Sequence, residues 1–405
     1  MRQGRTRGWG SQMRKPKTCR SCGSRELMLF LSLGSIPLSS ILRGDCLADF
    51  EERRSLEAAF CKRCSLVQLV SDLLVNAAPT PLVTNLLEEL PGDRWIGPGS
   101  VVLALEGSSL AQLQSFRQAG AKVIYLEPHP ERVRGLSGRD LLIRNERFGR
   151  SYAATLHSEG LRADVILANQ LPYYHADLNG LFEGLAMLLS DKGTVVMELL
   201  YVLELLETRR FERFSHQQAY YFSVRAVHGL ARRHGLWIQD IEPLAEGYLR
   251  YFLSKTHSST TSVDYYLEQE QKLGLNDALY YLEFAARTAA VREALVALLT
   301  ELRARGRRVA AYGASSQGMV LLNYAGLGRE VIEFVVDPDA SKQGCFLAGV
   351  HIPIYPLKKL PEQQPNYLLL LEPPPRQEDA QLKAYLQGGG KFILALPHPE
   401  ILKPI

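Results

Sequence analysis

Long apolar runs are missing from this chain. No stretch approaches the about 18 uninterrupted apolar residues that a membrane-spanning helix needs, so no membrane partner is expected. Charge of one sign is scarce too. Forty-seven basic residues stand against 43 acidic ones, a net +4 too small to argue for nucleic acid. No secretory leader is expected, because the run Leu27–Leu38 is interrupted by Ser32, Gly34, Ser35 and Pro37 and follows a Cys-x-x-Cys pair. What remains is ordinary globular composition, 46% hydrophobic and 22% charged, which excludes wholesale disorder. The expectation is a soluble cytoplasmic protein of two to three domains.

Cysteine is sparse but unevenly placed. Cys19 and Cys22 form one Cys-x-x-Cys, and Cys61 and Cys64 form a second. Two such pairs suit four thiolates closing around a structural zinc, with all four positions filled by protein. Disulfides or unrelated thiols are the alternative, and the missing secretion signal favours the metal. Cys46 and Cys345 read as plain buried thiols. Residues 1–17 carry six basic residues and no acid. They read as a disordered tail, or as residues preceding a native start at Met13.

From Ser100 the text alternates between strand and helix. Val101–Leu105 is a strand, Glu106–Ser109 a turn, Leu110–Ala119 a helix stopped by Gly120, and Val123–Leu126 a second strand ending in Glu127. That order opens a parallel α/β nucleotide fold, whose second-strand acid accepts ribose hydroxyl hydrogen bonds. Asp164–Asn169 and Gly193–Glu198 read as further strands. The opening recurs at Arg308–Tyr312, the glycine-bounded turn Gly313–Gly318, a helix from Met319, and the strand Val331–Val336 ending in Asp337. Such a turn can face an anion or can simply reverse the chain. Between the two units, Thr260–Arg305 has the spacing of a connecting helical pair. The domains expected are a tail at 1–17, a zinc module at 18–75, an α/β domain at 76–257, a helical connector at 258–305 and a second Rossmann-like domain at 306–405.

Several longer segments resemble the three-domain deoxysugar C-methyltransferases: Cys19–Gly23, Leu33–Leu38, Phe60–Leu69, Ala310–Ala314, Leu321–Tyr324, Lys342–Gly344 and His351–Ile354. The resemblance spans nearly the whole chain after residue 17. It implies a small zinc module followed by two Rossmann-like α/β domains, with S-adenosylmethionine, a structural zinc and a nucleotide-linked keto sugar. Glu127, Gly107, Ser108 and Asn169 then become the cofactor-binding candidates. His216, Tyr174 and Tyr221 are the polar, catalytic candidates, with His175 as a substitute base.

The chain also departs from the family pattern. The family run Tyr-His-Glu-His is replaced by Ser215-His216-Gln217-Gln218, and a further family histidine falls on Tyr174. Amides cannot take up a proton as a carboxylate or imidazole can. The acid of the first strand falls on Ala104, and the closing glycine of the cofactor loop falls on Leu110, where positive φ would be costly. A shifted register, with Glu106–Ser109 as the loop, would rescue part of it. Family tyrosines are missing from Leu73–Ala78, Gln317 replaces a lysine, and Glu246-Gly247 replaces Gly-Gly. Two main readings stay open. One is an S-adenosylmethionine-dependent methyltransferase with a different acceptor. The other is a non-catalytic paralogue that binds a ligand or pairs with an active relative. Another reaction in the same pocket is a third.

Overall fold

A computed structural model describes residues 18–44, 51–71, 96–134, 141–372 and 380–402. The basic tail, Cys46 and Leu73–Ala78 lie outside them. The N-terminal segment supplies β1 (Leu27–Pro37), β2 (Ile41–Leu42), β3 (Arg53–Cys61) and β4 (Val67–Leu69). β1, β3 and β4 pair antiparallel, with buried Leu31, Leu33, Ala58 and Phe60 alternating along the strands toward one core.

The central segment runs β5 (Val101–Ala104), α1 (Leu110–Gln118), β6 (Lys122–Leu126), β7 (Leu141–Arg144), α2 (Arg150–Ser158), β8 (Ala163–Leu167), α3 (Leu178–Leu188), β9 (Leu189–Leu200), α4 (Val202–Glu207), β10 (Tyr220–Tyr221), α5 (Val224–Arg233), β11 (Trp237–Pro243) and β12 (Tyr248–Ser254). Its sheet has the order β11-β12-β9-β8-β5-β6-β7. Only β12 runs antiparallel to its neighbours. The chain moves outward from β5 to β7 and then crosses back to β8 beside β5. Their carboxyl ends therefore form the switch point, where open α/β sheets leave room for a ligand. Fully buried Val102, Leu103, Val165, Ile166, Val195 and Val196 make the strands continuously apolar, as a sheet covered on both faces requires.

Two helices follow, α6 (Thr261–Lys272) and α7 (Ala278–Ala304), the expected pair. α7 is a pillar: Tyr281 stacks on Phe60 at 4.1 Å and touches Phe30 at 5.1 Å between ring centroids. α6 is tied to the central segment, because buried Glu270 accepts the backbone N–H groups of Val224 and Arg225 at the start of α5.

The last segment comprises β13 (Val309–Tyr312), α8 (Ser316–Ala325), β14 (Val335–Val336), β15 (Phe346–Leu347), β16 (Ile352–Tyr355), α9 (Lys359–Gln363), β17 (Tyr367–Leu370), α10 (Ala380–Gln387), β18 (Lys391–Leu394) and β19 (Glu400–Ile401). The strand expected over Val331–Val336 shrinks to its last two residues, since Val331 and Ile332 donate back to the Gly328 carbonyl in a turn. Cys345, expected to be buried, is only partly so, because it sits in the turn leading into β15.

The sheets are cross-linked by borrowed strands. β10 pairs with β4, Tyr220 opposite Gln68 and Tyr221 opposite Val67. β2 pairs with β15, extending the sheet of the last segment. The N-terminal module thus clamps both α/β units. Among the described residues no helix is long and apolar enough to cross a membrane.

Candidate functional site

The two Cys-x-x-Cys pairs form matching turns. Gly23 N–H donates to the Cys19 carbonyl and Ser65 N–H to the Cys61 carbonyl, both at 2.9 Å. Gly23 and Ser65 both take positive φ, 72° and 58°. The turns bring the four sulfurs within 4.8 Å of one another, with Cys19–Cys64 and Cys22–Cys61 each at 3.6 Å. All four are free thiols. A tetrahedron of Zn–S bonds near 2.3 Å has edges of about 3.8 Å, so the set fits a zinc ion. Four negative charges cannot share this volume without a cation. Cys61 is held low by S–H donation from Cys19 and Cys64, whose own ionisation is pushed up.

At the switch point, Gly107 takes φ 93°. Ser108 Oγ donates to the Leu105 carbonyl at 2.8 Å. Ser109 caps α1, with Gln112 closing a reciprocal capping box. Leu110 is the first helical residue, and the positive φ of the loop falls on Gly107, the arrangement that the shifted register with Glu106–Ser109 as the loop allows.

Glu127, buried at the end of β6, accepts from the Tyr125 hydroxyl and from His129 N–H, both at 3.1 Å. Glu106, also buried, lies with Glu127 and His129 in one cluster whose polar atoms are all within 4.8 Å. Burial, opposed by Arg147 and reinforced by Glu127, pushes its carboxyl up. Asn169 follows β8 and is fully buried. Its Nδ2 reaches Gln112 Oε1 at 3.4 Å, and its Oδ1 has no partner among the described residues.

Beyond these strand ends lies a cleft between the central sheet and the last α/β unit. A cavity of about 260 Å³ is lined by Gln170, Tyr173, Tyr174, Glu212, Arg213, Gln217, Gln218, Tyr248 and Gln317, among others. A second of about 460 Å³ adjoins it, sharing Leu200, Arg213, Glu246 and Gln317. The Tyr174 hydroxyl is buried with no partner among the described residues. Burial, and then Glu106, push its phenol well above the ordinary range.

Two catalytic candidates lie elsewhere. Tyr221 is fully buried and is not among the cleft's lining residues. Its hydroxyl donates to the Arg213 carbonyl and accepts from Ser215 N–H, and its ring packs on Phe214 at 4.3 Å. It braces the loop that forms the cleft floor. His216 points the other way, toward Ile36–Leu38 and α8 residues Met319 and Val320. Burial pushes its pKa down. The run 215–218 is a turn, closed by Gln218 N–H donating to the Ser215 carbonyl at 3.1 Å, and it leaves Gln217 and Gln218 lining the cleft and His216 in the seam. His175 is occupied as well, with Nε2 facing the Phe148 carbonyl at 3.0 Å and Nδ1 accepting Asp177 N–H at 3.2 Å.

In the last α/β unit the glycines serve packing. A Cβ on Gly313 would lie 2.8 Å from Glu372 Cβ, and one on Gly318 would lie 2.8 Å from Leu371 Cβ. Asp337 is consumed internally, accepting Ala314 N–H at 2.7 Å and Lys342 Nζ at 3.0 Å.

Sequence comparison agrees with this arrangement. Residues 19–72 match a domain described as zinc binding, and residues 243–397 match the C-methyltransferase C-terminal domain. The C-methyltransferase NovU of Streptomyces niveus is 30% identical over 414 aligned residues, covering 95% of this chain and 96% of that protein. The chain belongs to the C-methyltransferase family. Solved methyltransferases resemble it at lower levels. A Burkholderia thailandensis N1-methyltransferase with S-adenosylhomocysteine bound is 16% identical over 40% of this chain and 72% of its own, with a TM-score of 0.29. The calicheamicin-biosynthesis methyltransferase CalO1 is 13% identical over 41% and 51%, with a TM-score of 0.33.

The residues that the sequence did not single out are Glu106 as a partner of Glu127, and Glu212, Arg213 and Tyr248 around the cleft. The family comparison of single positions could not find Glu212, because it lies outside the altered run. Its burial is its signal.

Proposed function

We propose that this C-methyltransferase family protein binds S-adenosylmethionine at the β5–β6–β8 strand ends and transfers its methyl group to a nucleotide-linked keto sugar in the adjoining cleft. Tyr174 carries the reading. It lines the cleft, and Glu106 and Glu127 are among the charges acting on its phenol, so the two halves of the site meet at this residue. The unpartnered Asn169 Oδ1, the left-handed turn at Gly107 and the buried Glu127 carboxylate fit the cofactor. Glu127 would hold its ribose. Gly107 and Ser108 would let the backbone approach it, and Asn169 would offer an acceptor.

When bound, S-adenosylmethionine supplies an electrophilic methyl carbon. The protein's task is to hold the acceptor in line and to exclude water, effects worth several kcal/mol of barrier. Gln170, Gln217, Gln218 and Gln317, with Ser215 and Ser316, offer neutral donors and acceptors suited to a polyhydroxylated ring. Tyr174 stays protonated, and so can donate to an oxygen that gains negative charge.

The loss of Glu and His at 217 and 218 favours the second reading, an inert shell. Titration calorimetry with S-adenosylmethionine separates the two. Micromolar binding, abolished by Glu127→Ala, is the expected result. No heat at millimolar ligand overturns the methyltransferase reading.

A further inference from the structure

The resemblance read from the sequence leaves this cleft without an acid–base group at the altered run, yet two carboxylates line it, the exposed Glu246 and the buried Glu212. Glu212 belongs to a short 3-10 turn, Phe211–Arg213, at the boundary of the cavity. The turn is pinned on both sides. Phe211 is fully buried and meets Tyr324 of α8 at 5.3 Å, and Phe214 is fully buried against Tyr221. Between these anchors the Glu212 side chain is 4% exposed. Arg210 Nε donates to Oε1, whereas buried Oε2 has no partner among the described residues. A buried carboxylate oxygen without a donor is costly, and it persists here beside a ligand-sized cavity.

We propose that Glu212 is the catalytic base of this cleft, the group that removes the proton next to the carbonyl of a keto sugar. The proposal rests on the acceptor reading above and adds the residue. Glu212 Oε2 takes the proton as the C–H bond breaks, and the electron pair moves into the enolate. Bound S-adenosylmethionine would supply the methyl carbon for the enolate carbon's new bond and would leave as a neutral thioether. The proton on Glu212 leaves to solvent before the next turnover. Arg210 holds the carboxylate in place through Oε1 and leaves Oε2 free.

Protonation of the free protein is consistent with this role. Burial pushes the Glu212 carboxyl up, and Arg210 and Arg213 pull against it without cancelling the effect. A base shifted toward neutrality is better matched to a weakly acidic C–H. The charged neighbours are Arg210 and Arg213 on its own turn, with Glu246 opposite on the loop before β12. Tyr174 and Tyr248 line the same cavity.

The test uses the proton step alone. Purified full-length protein is placed in D2O with thymidine diphosphate 4-keto-6-deoxyglucose and no methyl donor, and deuterium entry beside the carbonyl is read by mass spectrometry. Binding of the sugar nucleotide is followed separately by calorimetry. The wild type is expected to exchange above the protein-free rate, with an inflection above the usual carboxylate range. Glu212→Gln is expected to bind the sugar nucleotide but exchange roughly 100-fold more slowly. Arg210→Ala is expected to slow exchange and to move its inflection upward, since Arg210 both orients the carboxylate and pulls its pKa down. Wild-type exchange by Glu212→Gln, with binding intact, overturns Glu212 as the base and leaves the acceptor reading standing. Absence of sugar-nucleotide binding by the wild type overturns both. Should Glu212→Gln fail to fold, an inflection unmoved in Arg210→Ala overturns the assignment.

Discussion

Two buried carboxyls, Glu106 and Glu127, sit close together at the end of the central sheet. Like charges this near resist ionising together. Burial above all, and then the neighbouring Glu127, push the Glu106 carboxyl up, with Arg147 pulling against them. Glu106 binds its proton more tightly in the fold than in the unfolded chain. Its contribution is therefore fully present below the ordinary carboxylate range and is lost as pH rises through the raised folded value. Glu106→Gln removes that loss. The melting-temperature difference between variant and wild type should grow from pH 5 to pH 8 by about 2–4 °C per kcal/mol recovered. A pH-independent difference in a thermal scan would contradict it. At the same scale, Glu246 holds φ 58° beside Gly247 at 78°. A side chain thus occupies a conformation that favours glycine, and it overhangs the cleft where it meets Arg213.

The element that does most beyond its own length is α7. Its 27 residues span about 40 Å at 1.5 Å each. Its first turns seat Tyr281 and Phe284 in an aromatic group with Phe30, Phe60 and Phe214. That contact joins the zinc module to the turn carrying Glu212. Tyr281→Ala should cost about 3–5 kcal/mol, as large-to-small changes of buried aromatics do, measured by urea unfolding. The same substitution should weaken sugar-nucleotide binding, because Phe214 loses a neighbour of its neighbour. The helical spacing predicted this connector. Its aromatic face could not be assigned until Phe30 and Phe60 had been placed by their own strand pairing.

Across the molecule the zinc module works as a clamp. β4 carries β10, which begins two residues after Gln218, and β2 carries β15 of the last unit. Losing the metal set should therefore reach the cleft. Cys61→Ser is expected to lower the bound zinc from about one per chain, to expose the first module to protease, and to weaken S-adenosylmethionine or sugar-nucleotide binding. A variant that loses zinc while both ligands bind as before would show that the clamp is independent of the site. Elemental analysis and calorimetry on one preparation read both.

The four thiols, the two strand–turn–helix openings and Glu127 were legible in the sequence because each is local. A Cys-x-x-Cys turn and a strand-end acid are set by residues a few positions apart. The direction of His216 and the bracing role of Tyr221 were not legible, since both depend on which elements pack against one short loop. Glu212 was hidden for the same reason. In sequence it is one acid among arginines, and only the closing of Phe211 against α8 and of Phe214 against Tyr221 removes it from water. Burial by distant elements converts an ordinary surface residue into a proton-binding one, and that conversion belongs to the tertiary structure alone.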